Sequence, residues 1–160
     1  MAKFRAIIKK NIDGSDLMEL SGNLNEDAGK ILPVLSAGLG SSVTINFKLV
    51  TSINSFGVHA WIGFIRKISV GRSLIFEECT PEIVSQINMV PIFRANASIN
   101  SVYAAFACPH CGHVQHHLFV KGKNMPEWLD RAIEVVNCAR CGAPSEMDSP
   151  QRDFFAFLSA

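Results

Sequence analysis

The sequence lacks long apolar runs, a leader and an excess of either charge, and each absence removes a class of function. No apolar stretch reaches the ~18 residues that a bilayer-spanning helix needs. The N-terminus MAKFRAIIKK has neither the h-region nor the cleavage site of a secretory signal. A soluble, cytoplasmic chain with no membrane partner is therefore expected. The formal net charge is only +1. From Cys108 onward, 5 Lys plus Arg face 6 Asp plus Glu. The basic patch that a dedicated nucleic-acid binder displays is missing, so no nucleic-acid partner is expected. There is no Gly-rich phosphate cradle of Walker type, and residues close in sequence assemble no nucleophile–base pair. The chain reads as a protein that is not an enzyme.

What is present suits one ordinary domain, or a small domain with an appendage. Of 160 residues, 48% are apolar and 18% charged, which is ample for a packed core and too apolar for a disordered chain. Phe4–Lys9 and Asp16–Leu20 are short apolar runs around the turn signal Asp13-Gly14-Ser15, and they read as a hairpin. Asn25 is placed to cap a helix carrying Ala28, Ile31, Leu32 and Leu35, with Gly38 or Gly40 ending it and Pro33 predicting a kink or irregular turn. Val43–Phe47 is a β-branched strand. Next, Val58, Trp61, Ile62, Ile65 and Ile68 share a helical face, with Phe56 pointing away from it. Ser55, just ahead, reads as the N-cap of this helix. Arg72–Phe76 is a short buried strand. Thr80-Pro81 opens a helix holding Ile83, Val84 and Ile87, and Ala97–Phe106 is a further strand. The order β-β-α-β-α-β-α-β predicts an α/β fold with a largely parallel sheet covered by helices, and the N-terminal hairpin adds an antiparallel pair.

Four of the 5 cysteines fall in two matching turns, CPHCGH at 108–113 and CARCGA at 138–143. In each, two residues between the cysteines let both thiolates face one ion, and the following Gly lets the backbone curl toward the sulfurs. Cys108, Cys111, Cys138 and Cys141 are thus expected to close a structural, tetrahedral zinc (Zn2+) site. With four sulfurs there is no open position for catalysis. The 26 intervening residues have room for a strand at His116–Lys121 and a helix after Pro126. His110, His113, His116 and His117 crowd the first turn. One could replace a cysteine, although surface or neighbouring roles suit them better. Cys79 reads as a small buried hydrophobe. The tail SPQRDFFAFLSA, with Phe154, Phe155, Phe157 and Leu158, predicts a short helix docked back on the protein.

LSGNLN at 20–25, VTINFKLVTSINSFGVHAW at 43–61 and LIFEECTPEIVSQINMVPIF at 74–93 together resemble the STAS domain. This is the fold of bacterial anti-sigma factor antagonists and of the cytoplasmic tails of sulfate transporters. The resemblance covers residues 1–107 and implies a STAS-like mixed sheet with helices. A zinc ribbon at 108–148 and a docked C-terminal helix at 149–160 would follow as a small appendage. The whole chain looks like a bacterial subgroup of STAS proteins that carry such a ribbon.

In antagonists of this family the loop before the second helix carries Asp-Ser-Ser-Gly. Its first Ser is phosphorylated by a partner that is both serine kinase and anti-sigma factor. Laid on this chain, that motif falls on Asn54, Ser55, Phe56 and Gly57. The hydroxyl and the glycine are kept, the acid is a neutral amide and the second Ser is a ring. The resemblance makes Ser55 the candidate phosphoacceptor and Asn54, Phe56, Gly57, His59 and Gly63 the candidate partner-binding residues. The function it implies is a non-enzymatic signalling protein that docks a regulatory protein through residues 54–63. The alternative is a structural scaffold or oligomerisation module with a zinc-stabilised C-terminal interaction surface.

Overall fold

The protein is described here as a computed structural model covering residues 2–159. Its first sheet starts with a hairpin. β1 (Arg5–Lys10) and β2 (Asp16–Leu24) pair antiparallel, and the turn between them is closed by Asp13 Oδ1, which accepts the Ser15 N–H at 2.9 Å. β3 (Ser42–Ile53) and β4 (Ser73–Glu77) add in parallel, and the two-residue β5 (Ser98–Ile99) completes the order β1-β2-β3-β4-β5. Between these strands run α1 (Ala28–Leu35), α2 (Ser55–Ile68) and α3 (Pro81–Met89). This is the mixed α/β arrangement that the order of apolar runs and the STAS resemblance imply. No helix among the described residues is long and apolar enough to cross a membrane.

Alternation along β2 and β3 assigns the two faces. Met18, Leu20, Leu24, Val43, Ile45 and Phe47 are buried in one core with Ala28, Leu32, Ile65, Ile68, Ile83 and Val84 of the helices, while Leu17, Glu19, Thr44 and Asn46 look the other way and are half-buried. Trp61 is the centre of this core. Its ring stands edge-on to Phe47 and Phe76, with centroids 5.4 and 5.9 Å away. Its indole N–H donates to the Phe93 carbonyl at 2.7 Å, so the polar atom of a fully buried side chain is satisfied.

A polar anchor locks the opposite ends of these strands. Asp16 is 0% exposed; it accepts the Gly40 N–H at 2.6 Å and pairs with Lys10 Nζ at 2.7 Å. Burial pushes the Asp16 carboxyl up, but the Gly40 N–H and Lys10 outweigh it and hold the group below its usual range. Arg72 closes the same corner by donating from Nε to the Gly40 carbonyl at 2.9 Å.

Three local expectations are corrected. The strand expected at 97–106 is divided at Asn100. β5 stays in the first sheet, while β6 (Ser101–Ala107) forms a second sheet with β7 (Val114–Val120) and β8 (Glu146–Met147), in the order β7-β6-β8. The two sheets remain joined where Cys79 N–H donates to the Ser101 carbonyl at 3.1 Å and Tyr103 N–H to the Cys79 carbonyl at 2.8 Å. The helix expected after Pro126 is absent, and residues 127–136 run as irregular chain. Here Val135 and Val136 are β-branched, and the Val136 carbonyl is held from outside by the Ser145 N–H and hydroxyl at 2.9 and 2.6 Å. Third, Asp27, not Asn25, occupies the cap position of α1. Asn25, two residues upstream, accepts the Asp27 N–H on its Oδ1 at 3.1 Å. The helix runs through Pro33 and tightens into a 3-10 turn at Ser36–Gly38.

The tail folds as α4 (Gln151–Phe154) and a 3-10 turn at Ala156–Ser159. Phe154, Phe155 and Phe157 are buried, and Phe155 stands edge-on to Phe119 of β7 at 5.2 Å. Asn88 of α3 donates to the Asp153 and Phe154 carbonyls at 3.2 and 2.9 Å, tying this tail to the first unit.

Candidate functional site

The head of α2 is built by three neighbouring residues. Asn54, with extended backbone, is the N-cap, and its Oδ1 accepts the Gly57 N–H at 2.9 Å. Ser55 therefore sits at the first helical position. Its expected role as the cap is taken by Asn54, whose amide oxygen reaches the third helical N–H as a good cap does. Gly57 faces inward: a Cβ there would collide with the Leu24 carbonyl, so only glycine lets α2 seat against the end of β2. The Asn54 N–H donates to that same carbonyl at 3.2 Å.

The outward side of this turn is open. Ser55 is exposed, and the Phe56 ring is 67% exposed. Phe56, His59 and Gly63 line a groove of about 420 Å³ together with Ala60, Phe64 and Lys67. Its other wall is α1, through Gly29 and Pro33, with Glu26 of the turn just before that helix. Of the residues singled out in sequence, Phe56, His59 and Gly63 thus meet in one place. Asn54 is engaged as a cap and Gly57 is buried beneath the turn. The α1 wall went unnoticed in sequence, although the spacing of 29 and 33 places both on a single helical face.

The second cluster lies beyond β6. Cys108, Cys111, Cys138 and Cys141 bring their sulfurs within 4.8 Å of one another, and among the described residues this group contains no histidine. The two turns are built alike. Gly112 and Gly142 N–H donate to the Cys108 and Cys138 carbonyls, both at 2.9 Å, with Gly φ of 75° and 78°. Such positive φ values suit glycine. Within the second turn the Arg140 N–H donates to Cys138 Sγ at 3.4 Å. Sulfurs from opposite turns approach to 3.5 Å (Cys108–Cys141) and 3.6 Å (Cys111–Cys138). A tetrahedron of sulfurs 2.3 Å from one ion has edges of ~3.8 Å, so the donor set fits a metal ion.

Backbone N–H groups favour the thiolate at two of these cysteines. The Cys141 N–H, with that of Arg140, draws the Cys138 thiol down to about 7 against its partial desolvation, and the Cys111 N–H lowers Cys108 in the same way. Cys141 takes the Ala143 N–H, which lowers it, yet desolvation and the neighbouring thiols push it up to about 12. A Gln side chain ties β7 to the second turn. Gln115 of β7 donates to the Asn137 carbonyl at 3.0 Å and accepts the Ala139 N–H at 2.7 Å. Cys79 is apart from this cluster, fully buried, and its thiol is pushed up by burial.

A polar knot marks the seam between the sheets. Glu78 adopts φ 48° and accepts the Tyr103 hydroxyl at 2.6 Å and the Asn46 amide at 3.2 Å. Burial and then Glu78 push the Tyr103 phenol up to about 12.

A solved structure described as the anti-sigma factor antagonist SpoIIAA in its unphosphorylated form is similar to this chain. The identity is 15% and the TM-score 0.48, with 59% of this chain and 87% of that one covered. No family model matches the chain, and no curated protein matches it.

Proposed function

We propose that this chain is a STAS-type regulatory module that works by binding rather than catalysis. It docks a regulatory protein, of the anti-sigma factor and serine-kinase kind, through the loop and helix around residues 54–63. The observation that carries this reading is the Phe56 ring, left in water beside an exposed Ser55 while Trp61 and Phe64 of the same helix are buried. A large exposed apolar side chain at the rim of a groove marks an interaction surface better than scattered surface residues do. The unit from 1 to 107 would be the STAS domain, its last strand β6 shared with the second sheet; 108–148 would be the ribbon and 149–160 its docked helix, in a bacterial cytoplasmic protein.

In this reading Ser55 is the switch. A phosphate there adds about −1.5 to −2 charges at the head of α2, where the helix dipole and unpaired first-turn N–H groups favour an anion. Asn54 already takes the Gly57 N–H, so the phosphate would share the remaining donors. The added charge would then repel or redirect a partner docked on Phe56. Purified partner should be captured by the parent chain and by Ser55→Ala, and lost with Ser55→Asp and with Phe56→Ala. Capture indifferent to all three substitutions rules out the switch and the surface together.

The cysteine cluster would hold one structural zinc through Cys108, Cys111, Cys138 and Cys141. Zinc supplies cross-linking there, since four thiolates leave no position for substrate. Elemental analysis should return about one zinc per chain. Folded protein free of metal counts against this assignment.

A further inference from the structure

We infer that the groove between α1 and α2 receives a second copy of this chain across a two-fold axis. The surface proposed above for a regulatory partner is then also the protein's own dimer surface. The inference takes the position of that surface from the proposed function and adds its occupant.

The groove has a direction. α1 and α2 leave the same ends of the parallel strands β2 and β3 and run side by side. Gly29 lies opposite Ala60, since a Cβ at Gly29 would stand 3.8 Å from the Ala60 Cβ. Glu26 and Phe56 therefore share one end of the groove, and Lys67 closes the other. Glu26 and Lys67 are the acid and the Lys of its lining, with His59 beside the middle. Lys30 and Arg66 lie outside that lining.

This surface is complementary to itself. Phe56 is a knob four residues before Ala60, and Gly63 is a hole three residues after it. A Cβ on Gly63 would meet nothing within 4 Å, and Gly63 is not among the glycines with positive φ. Nothing in the chain's own fold requires a glycine there. A two-fold axis passing near Ala60, with the helices of the two copies antiparallel, carries Phe56 of each copy over Gly63 of the other. Gly29 and Ala60 then lie near the axis, and their small size lets the helices approach closely. The same operation brings Glu26 of each copy to the Lys67 end of the other, so unlike charges meet at both ends. The antiparallel helices also place opposite dipole ends together. α2 is ~21 Å long at ~1.5 Å per residue, so a face two helices wide falls in the small class of interfaces. The dimer should therefore exchange with monomer, and a partner would compete with the second copy for Phe56.

Sedimentation equilibrium on the full chain from about 1 μM to about 1 mM covers the range expected for such an interface. The expected result is a concentration-dependent dimer. Phe56→Gly and Gly63→Phe should each raise its dissociation constant by about tenfold or more. The double variant exchanges knob and hole and should restore dimerisation. If either single variant misfolds, the charge pair serves instead: Glu26→Lys and Lys67→Glu should each weaken the dimer, and together they should recover it. A monomer throughout the range overturns the inference, as does a dimer indifferent to the single substitutions. Partner capture separates it from the reading it rests on. A monomeric chain whose Phe56→Ala variant loses its partner sinks the dimer and leaves the partner surface. A Phe56-dependent dimer whose partner capture ignores Phe56→Ala does the reverse.

Discussion

Replacing Gly57 by alanine sets two effects of comparable size against each other at the head of α2. Helix propensity favours alanine over glycine by ~1 kcal/mol. Against that, the new methyl would strike the Leu24 carbonyl and lie 2.9 Å from the Asn25 nitrogen. Both are main-chain atoms at the end of a central strand, so neither can swing aside as a side-chain tip would. Moving α2 outward loosens the Asn54 N–H bond to the same carbonyl and lifts Trp61 and Ile65 from the core. Overpacking of this kind costs ~1–3 kcal/mol, and a weakened hydrogen bond adds ~1 kcal/mol. Less the propensity gain, Gly57→Ala should destabilise by ~1–3 kcal/mol. Gly63→Ala is the matched control on the same helix. Its Cβ enters open space, so it should stabilise by ~0.5–1 kcal/mol. Urea unfolding of the two variants and the parent, with slopes compared to exclude changes in the unfolded state, reads both signs. A Gly57→Ala protein as stable as the parent refutes the close-packing argument for this turn.

Three further outcomes are expected. Gln115→Ala removes the only side-chain link described here between β7 and the second cysteine turn, and it should weaken metal retention against a competing chelator by roughly 10–100-fold, as for other residues that position ligands. Asp16 is held below its usual range, so the stability it contributes is present above its unfolded pKa and is lost as pH falls through the folded value. Asp16→Asn should cost ~1.5–3 kcal/mol at neutral pH and flatten the acid limb of a stability–pH curve. The chain has 1 tyrosine, so absorbance titration reports Tyr103 alone. Its midpoint should lie at about 12 and drop in Glu78→Gln. The raised value means that the Tyr103 contribution is intact below the unfolded phenol pKa and is lost as pH rises through the folded one.

Much of the fold was legible because its signals are local. The β-branched run at 43–47, the apolar face from Trp61 to Ile68 and the Thr80-Pro81 start each depend on neighbours along the chain, and each formed near its expected place. The doubled cysteine turns were legible for the same reason. The division of 97–106 was not. Ile99 and Val102 are both buried, and nothing in their types says that they belong to different sheets; that is decided by Cys79 and Ser101 meeting across the fold. The stretch 127–136 misled because Leu129, Ala132, Ile133 and Val136 have helical spacing, while bonds from Ser145 and Gln151 hold the backbone otherwise. At the head of α2, Ser and Asn are both good caps, and Gly57 settles which one serves, since its N–H lies three residues after Asn54. The α1 wall of the groove was hidden because Gly29 and Pro33 form no apolar stripe.

The division of one apolar run between two sheets has a consequence in time. β6 needs β7 beside it along its whole length, and α3 is tied to the tail through Asn88. During synthesis at ~5–20 residues per second, ~3–10 s pass between the emergence of β6 and that of the tail. Early in that interval β6 lacks its partner β7, and until the tail arrives α3 lacks the contacts that Asn88 makes to it. The two cysteine turns emerge within the same interval, so a metal ion captured there would pull β7 toward β6 before the phenylalanines arrive to seal the joint. The cysteine spacing marks a second unit along the chain, yet its strand β6 and the tail that follows it are both bonded to the first.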